Sequence, residues 1–445
     1  MEVRLSGGRE VIVETDTNGE KSVLKPAKVN LHDCLSCESC PNAESSKGVI
    51  KKHQVWEDLW INLQKSKEEG KVIIFSLSPQ SRCSLSSYFN LSQETFYKKL
   101  KGVLEEWGVR HLIDVSIARE MALLESTKEF INRMKANPTG GPLPLLSGSC
   151  PGWISYAESM HGDYVLPYIS TVKSPQQIMG TLVKKYYSQQ WGLAGSHIFH
   201  VTVMPCIDKR LEAGRSQFFD EELKMKDVDF VLTSKDLLEL LQKQNVNLDQ
   251  KPEATMDTLL NNIENEKFYG VGGGPSDGYL EHIFKTSAKE LFGETIDNIQ
   301  YTIIGKTSDF KETSLIVNGN TVLKFAAVYG FRNIHTLVKQ IKSNTCPYHY
   351  IELMACPSGC TNGGGQIDSD FSGKNTIEVL EQVNKLFQSQ PVRPPGGSKV
   401  QEIYHSWLPD KTSEFLHTSY QKTNFEKPTT KSSCKCASSN TALIW

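Results

Sequence analysis

Apolar residues in this chain come in short β-branched runs, separated by longer stretches with helical spacing. KVIIFSLSPQ (71–80) is compact and aromatic-aliphatic and stops at Pro79, as a buried parallel strand would. Before it, residues 55–69 carry the Lys/Glu-rich pattern of a helix ending at Gly70, and residues 93–107 show helical periodicity. HLIDVSIARE (111–120) reads as a strand passing into a helix that runs towards Met134. LPLLSGSCPGW (143–153), HIFHVTVMPC (197–206) and DVDFVLTS (227–234) repeat the theme, each followed by helical sequence. Such alternation predicts an α/β layer with a parallel sheet. A polar, glycine-rich stretch (251–278, ending GVGGGPSDG) predicts a loop. A second strand series follows: IQYTIIG (299–305), SLIVNGN (314–320) and TVLKFAAVYG (321–330), with a hairpin at Asn318-Gly319-Asn320. FRNIHTLVKQIK (331–342) is an amphipathic helix and YHYIELMAC (348–356) a further strand. Two helical stretches beyond Gly373 flank PVRPPGG (391–397), residues 1–30 read as short polar strands and turns, and no internal repeat is visible.

Composition narrows the function classes. The 445 residues carry 49 Lys+Arg against 51 Asp+Glu, a net charge of −2, which argues against polyelectrolyte binding to nucleic acid. At 22% charged and 38% hydrophobic residues the chain fits a globular protein of two or three structural units. No apolar run approaches the roughly 18 residues that span a bilayer, and the N-terminus lacks the apolar core of a signal peptide. A cytosolic protein with no membrane partner is expected.

The 11 cysteines are odd in number and clustered. In a reducing compartment this points to metal or redox chemistry rather than disulfides. Cys34, Cys37 and Cys40 form a C-x-x-C-x-x-C arm, which can wrap one face of an iron–sulfur cubane with each thiolate on a different iron. A zinc site or three unligated thiols are the alternatives; structural zinc more often pairs two arms or adds histidines. Cys150, Cys206, Cys356 and Cys360 each sit at a strand end or tight turn beside glycine or proline, where a turn can present a thiolate into a cleft between lobes. Cys83 and Cys346 stand alone and read as packing. The Cys434-Lys-Cys436 pair has no second arm, and GVGGGPSDG lacks a phosphate-loop pattern, so a close backbone pass near the cysteines is its expected role.

SCPGW, MPCIDK and ELMACPSGCTNGGGQ, in that order, resemble the three signature segments of the [FeFe]-hydrogenase catalytic domain. The resemblance runs from about residue 71 to 388 and extends to KSPQQIMG (173–180), DVDFVLTS and FLHTSY (415–420). LHDCLSCESC, SGSCPGWISYAE, YISTVKSPQQIMG and VTVMPCIDKRLEA are similar, segment by segment, to the eukaryotic hydrogenase-like group of cytosolic iron–sulfur assembly factors, also called nuclear prelamin A recognition factor-like. This implies a two-lobed α/β domain with mostly parallel sheets flanked by helices, plus a small N-terminal iron–sulfur segment. The expected divisions are residues 1–70 for that segment, 71–390 for the two lobes, 391–425 for a small-subunit-like helical element and 426–445 for a mobile tail.

By the same resemblance, Cys150, Cys206, Cys356 and Cys360 ligate a buried [4Fe–4S] cluster, and Cys34, Cys37 and Cys40 supply three ligands of a second. Members of the group carry another cysteine ahead of the point where this chain opens with MEVRLSGGREV, so the second cluster is expected to lack its fourth ligand, with His32 a weak substitute. A hydrogenase relays protons through a cysteine beside the first ligand. Here that position is Ser149, whose hydroxyl is a poor relay near neutrality, although Lys209 keeps the basic residue of the family. The expected role is therefore non-enzymatic: a component of cytosolic iron–sulfur protein assembly that links early assembly to a late targeting complex with a WD40-type subunit and helps mature apoprotein clients of cytosol and nucleus. A hydrogenase-type redox enzyme and a structural metal-binding scaffold are the alternatives. The C-terminal ALIW resembles the aromatic tail by which assembly factors and clients dock on that complex, with Trp445 and its carboxylate as anchor.

Overall fold

The computed structural model describes residues 2–6, 9–15, 21–23 and 55–422, except 138, 261 and 277. Cys34, Cys37, Cys40, Cys434, Cys436 and Trp445 lie outside these residues. The chain divides into two compact units, Met1–Lys51 and Lys52–Trp445. In the first, Glu2–Ser6, Arg9–Thr15 and Lys21–Val23 form an antiparallel sheet in chain order, consistent with the expected short strands.

Besides two two-stranded sheets among its described residues, the second unit holds two large ones. In one, Val72–Leu77 lies between His111–Asp114 and Ile198–Met204, with Phe230–Thr233 outside the latter, and every pairing is parallel. Ile198–Met204 is buried at all seven positions, which is why its sequence reads as an almost continuous apolar run. Its polar exceptions are Thr202 and, larger, His200. His200 meets Ser76 Oγ at 2.7 Å and the Asp227 carbonyl at 3.1 Å, and burial pushes its pKa down to about 4, keeping the ring neutral. Leu59 and Leu63 of the helix Val55–Glu68, Phe96 and Leu100 of Gln93–Glu106, and Leu237 and Leu241 of Ser234–Lys243 share one core with this sheet.

The other sheet runs Thr302–Ile303, Phe310–Val317, Asn320–Tyr329, Tyr350–Met354, Leu145–Ser147. Its last three strands are parallel and its first three antiparallel. The hairpin turns at Asn318 (φ 51°) and Gly319 (φ 78°), the paired positive angles of a type I′ turn that an Asn-Gly sequence favours. Phe130, on the helix Ser116–Lys135, packs edge-on against Phe325 and Tyr350 and anchors that helix to the sheet.

Three elements differ from the pattern reading. Pro79 does not simply end a strand; capped by Ser78, which accepts from the Ser81 amide at 3.1 Å, it opens a helix, Pro79–Phe89. That helix is buried at every position from Pro79 to Ser86, so small serines replace an amphipathic stripe and its periodicity disappears. IQYTIIG yields only the two-residue edge strand Thr302–Ile303, with Ile303 56% exposed. LPLLSGSCPGW contributes three strand residues before Gly148 turns the chain into the helix Pro151–Met160. Near the end of the described chain, Thr376–Gln388, Ser398–Ser406 and Thr412–Leu416 are helical. No helix among the described residues is long and apolar enough to cross a membrane.

Candidate metal centre

Three strand ends converge at the site. Cys150 follows Leu145–Ser147 and occupies the N-cap position of the helix Pro151–Met160, so the positive end of the helix faces its sulfur. The amide of Ala355 donates to Cys150 Sγ at 3.4 Å, and the Trp153 amide also lowers the thiol's pKa against the rise from burial. Cys206 follows Ile198–Met204 through Pro205, which brings the two sheets together at this point. Cys356 and Cys360 follow Tyr350–Met354 on the loop ACPSGC.

Close backbone packing fixes the loop. Ser358 (φ 60°) and Gly359 (φ 81°) both adopt left-handed angles. A Cβ on Gly359 would lie 2.1 Å from Ser276 Oγ, the group that accepts from the Cys360 amide at 3.0 Å. Ser276 belongs to the glycine-rich loop 270–278, which passes beside the site as its sequence led us to expect. Downstream, the Gly365 amide donates to the Pro205 carbonyl at 2.9 Å. A Cβ on Gly363 would fall 2.4 Å from that same carbonyl, and one on Gly365 would fall 2.6 Å from Thr233 Cγ2 and 3.2 Å from Cys206 Cα. GGGQ is thus the surface on which the Cys356 loop seats against the Cys206 turn.

Electrostatics link the four thiols. Burial is the largest influence on Cys150, Cys206 and Cys356, and all three are pushed above the ordinary thiol value, Cys206 well above it. Beyond burial, Asp208 raises all three, Cys150 and Cys360 add to the rise at Cys206, and Cys150 and Cys206 add to that at Cys356. Lys209 opposes the rise at Cys150 and Cys206. Burial disfavours the Lys209 ammonium itself, yet Glu212 and then Cys206 hold its pKa above the usual lysine value. The Lys209 Nζ donates to the Ser149 carbonyl at 2.8 Å and to both Glu212 oxygens at 3.0 and 3.3 Å.

The donor set suits a multi-iron cluster. With their pKa values raised, Cys150, Cys206 and Cys356 hold their protons near neutral pH unless cations draw them off, which coordinated iron does. Among the described residues no three His, Cys, Asp or Glu side chains gather closely enough to hold a single metal ion. One tetrahedral zinc would need its sulfurs about 3.8 Å apart, given Zn–S bonds of about 2.3 Å. A cubane, with each thiolate on its own iron, lets them spread. Cys83 and Cys346 are separate. Cys83 packs with Val383 and Phe387 and contacts Gln93 Oε1 at 3.2 Å, and Cys346 is half-buried. Asp208, Glu212, Gln176 and Ser276 were not singled out from the sequence. The first two lie in the quoted segment MPCIDKRLEA, but nothing in their residue type marks them as part of the site.

Known proteins resemble this chain. Residues 71–364 match the family described as "Iron only hydrogenase large subunit, C-terminal domain". The "Cytosolic Fe-S cluster assembly factor narfl" of Xenopus tropicalis is 42% identical over 418 residues, covering 92% of this chain and 87% of that protein. The chain belongs to the cytosolic Fe–S cluster assembly factor family. A mouse member, "Cytosolic iron-sulfur assembly component 3" of Mus musculus, is 42% identical over 426 residues, covering 93% of this chain and 88% of the other. The plant member "Protein NAR1" of Arabidopsis thaliana is 40% identical over 421 residues, 90% of this chain and 87% of that one. The apo [FeFe]-hydrogenase HydA1 of Chlamydomonas reinhardtii superimposes on this assembly-factor fold with a TM-score of 0.71 at 22% identity, over 83% of this chain and 99% of that one. At that identity the likeness concerns the fold, and it agrees with the two-lobed, mostly parallel architecture described above.

Proposed function

We propose that the chain is an iron–sulfur cluster-binding component of cytosolic iron–sulfur protein assembly that links early assembly to the late targeting complex and helps mature cytosolic and nuclear iron–sulfur apoproteins. The observation that supports this best is the convergence of Cys150, Cys206, Cys356 and Cys360 from three strand ends onto one site, Cys150 buried and the other three partly exposed, in a family of cytosolic assembly factors. In this reading the four cysteines hold a [4Fe–4S] cluster, which supplies the positive charge that keeps their sulfurs as thiolates. The chain contributes three turns that orient the sulfurs and the Ala355 amide on Cys150 Sγ. Cys34, Cys37 and Cys40 hold a second, more labile cluster.

The role is non-enzymatic. Ser149 stands beside the first ligand, where a relay needs a group titrating near neutrality. The three hydrogens of the Lys209 ammonium are matched by the Ser149 carbonyl and the two Glu212 oxygens, which favours a structural cation over one that captures an anionic reactant. Hydrogen evolution from a reduced dye by the loaded protein would overturn this.

Anaerobic purification tests the reading: about eight irons per chain with equal acid-labile sulfide if both sites fill, about four if only the buried one does. Stoichiometric zinc without sulfide would contradict it. Docking is assigned to Trp445, on the WD40-containing targeting complex. Removing Trp445 should weaken affinity for that complex by about 30-fold, some 2 kcal/mol, with iron content unchanged. Unchanged affinity in calorimetry would place the interaction on the folded body.

A further inference from the structure

Glu212 lies on the short helix Asp208–Ala213, six residues after Cys206, and is 8% exposed. Its carboxylate accepts from three side chains on two stretches of chain: Lys209 Nζ at 3.0 and 3.3 Å, Ser174 Oγ at 2.9 Å and Gln176 Nε2 at 2.9 Å. Each donor is tied onward. Lys209 Nζ also donates to the carbonyl of Ser149, the peptide that leads directly into Cys150. Gln176 Nε2 donates to the Lys209 carbonyl at 3.0 Å, and Gln176 Oε1 accepts from Thr202 Oγ1 at 3.1 Å. Thr202 sits on the strand Ile198–Met204, whose end carries Cys206. The network therefore starts at the Cys150 turn of one sheet and closes on the Cys206 strand of the other.

We propose that Glu212 is a positioning residue for the buried cluster, locking the Cys150 turn to the Cys206 turn through Lys209 and Gln176. The proposal rests on the cluster reading given above. A buried ion pair adds little net stability once the desolvation of both charges is subtracted, so stability alone is a weak reason for one here. Placement is a stronger reason. The lysine stem is long enough to reach the peptide before Cys150, and the carboxylate, anchored by Ser174 and Gln176, fixes where the stem ends. Groups that orient metal ligands from behind are typically worth about 10- to 100-fold in metal affinity.

The test compares wild type, Glu212→Gln and the double variant Lys209→Met with Glu212→Met, each reconstituted anaerobically. Three quantities are read: iron and sulfide content, the rate of cluster loss to an iron chelator followed by absorbance, and Tm. Glu212→Gln leaves a buried ammonium unpaired, so chelator-driven loss should quicken about 10- to 100-fold and Tm should fall. The double variant removes both charges and keeps an apolar fill. It should recover Tm but still lose its cluster about 10- to 100-fold faster than wild type, with altered EPR g-values of the reduced cluster. Wild-type loss rates in Glu212→Gln would overturn the proposal. So would a double variant whose cluster retention and EPR signal return together with its Tm, since the pair would then be merely structural. Should Glu212→Gln fail to fold, the double variant alone decides between these outcomes. Failure of the cluster reading is distinguishable, because protein with Cys34, Cys37 and Cys40 all replaced by alanine would then carry no iron and sulfide.

Discussion

The Cys206 turn and the Cys356–Cys360 loop bring thiols to the same buried space by different physical means. The turn is held by side chains: Lys209, Glu212 and Gln176 form a polar network whose members come from distant parts of the sequence. The loop is held by backbone. Gly359, Gly363 and Gly365 lie where a Cβ would meet Ser276, the Pro205 carbonyl or Thr233 at 2.1–2.6 Å, and Ser358 and Gly359 take left-handed angles. A network of charges can relax when one member changes, whereas close-packed backbone cannot. The loop should therefore be the rigid half of the site and the turn the adjustable half.

Removing a ligand from either half should give the largest effect and treat both halves alike. Cys206→Ala or Cys356→Ala should lose about four irons per chain and lower Tm by on the order of 10 °C, since a cluster bridging two sheets contributes its binding free energy to folding. Cys37→Ala should lose iron while leaving Tm of the body within about 2 °C. Equal Tm losses in the inner and outer variants, measured by calorimetry, would dissolve the distinction between two sites.

Acidity separates the empty site from the filled one. In the apo protein, burial raises the Cys150, Cys206 and Cys356 thiols above their unfolded value of ~8.5. Above that pH the unfolded chain binds fewer protons than the folded one, so stability is intact below pH ~8.5 and declines as pH rises. In the filled site the thiolates are already deprotonated and this slope vanishes. Denaturation between pH 7.5 and 10 should show a falling apo curve and a flatter loaded one; parallel curves would mean these thiols are not cluster ligands.

The glycines give the smallest and most local test. Gly363→Ala and Gly365→Ala should each destabilise by about 2–4 kcal/mol and hasten cluster loss, because the clashing atoms are a backbone carbonyl and a β-branched side chain. Gly364→Ala, with nothing within 4 Å of its added methyl, should stay within about 0.5 kcal/mol of wild type. Three alanine variants of similar stability would show that the loop is not held by close packing.

The same contrast explains what the sequence made legible. Backbone constraints leave glycines and prolines beside cysteines, so ACPSGC and GGGQ could be read as a site before any coordinates. Ile198–Met204 and the Asn318-Gly319 hairpin were equally readable, because a doubly buried strand and a type I′ turn each demand particular residue types. Glu212 and Asp208 were not. A carboxylate at the first or fifth position of a short polar helix looks like solvated surface until the fold encloses it, Glu212 fully and Asp208 in part. The helix Pro79–Phe89 was lost for the opposite reason: buried almost throughout, it uses serine as filler and has no apolar stripe to detect.

The central claim is that Cys150, Cys206, Cys356 and Cys360 hold one four-iron cluster. The most direct test is ⁵⁷Fe Mössbauer spectroscopy, with sulfide analysis, of anaerobically purified protein in which Cys34, Cys37 and Cys40 are all replaced by alanine. The account predicts about four irons and four sulfides per chain in a [4Fe–4S] signal, abolished by further replacing Cys206. A protein free of sulfide, or an unchanged signal without Cys206, would contradict it.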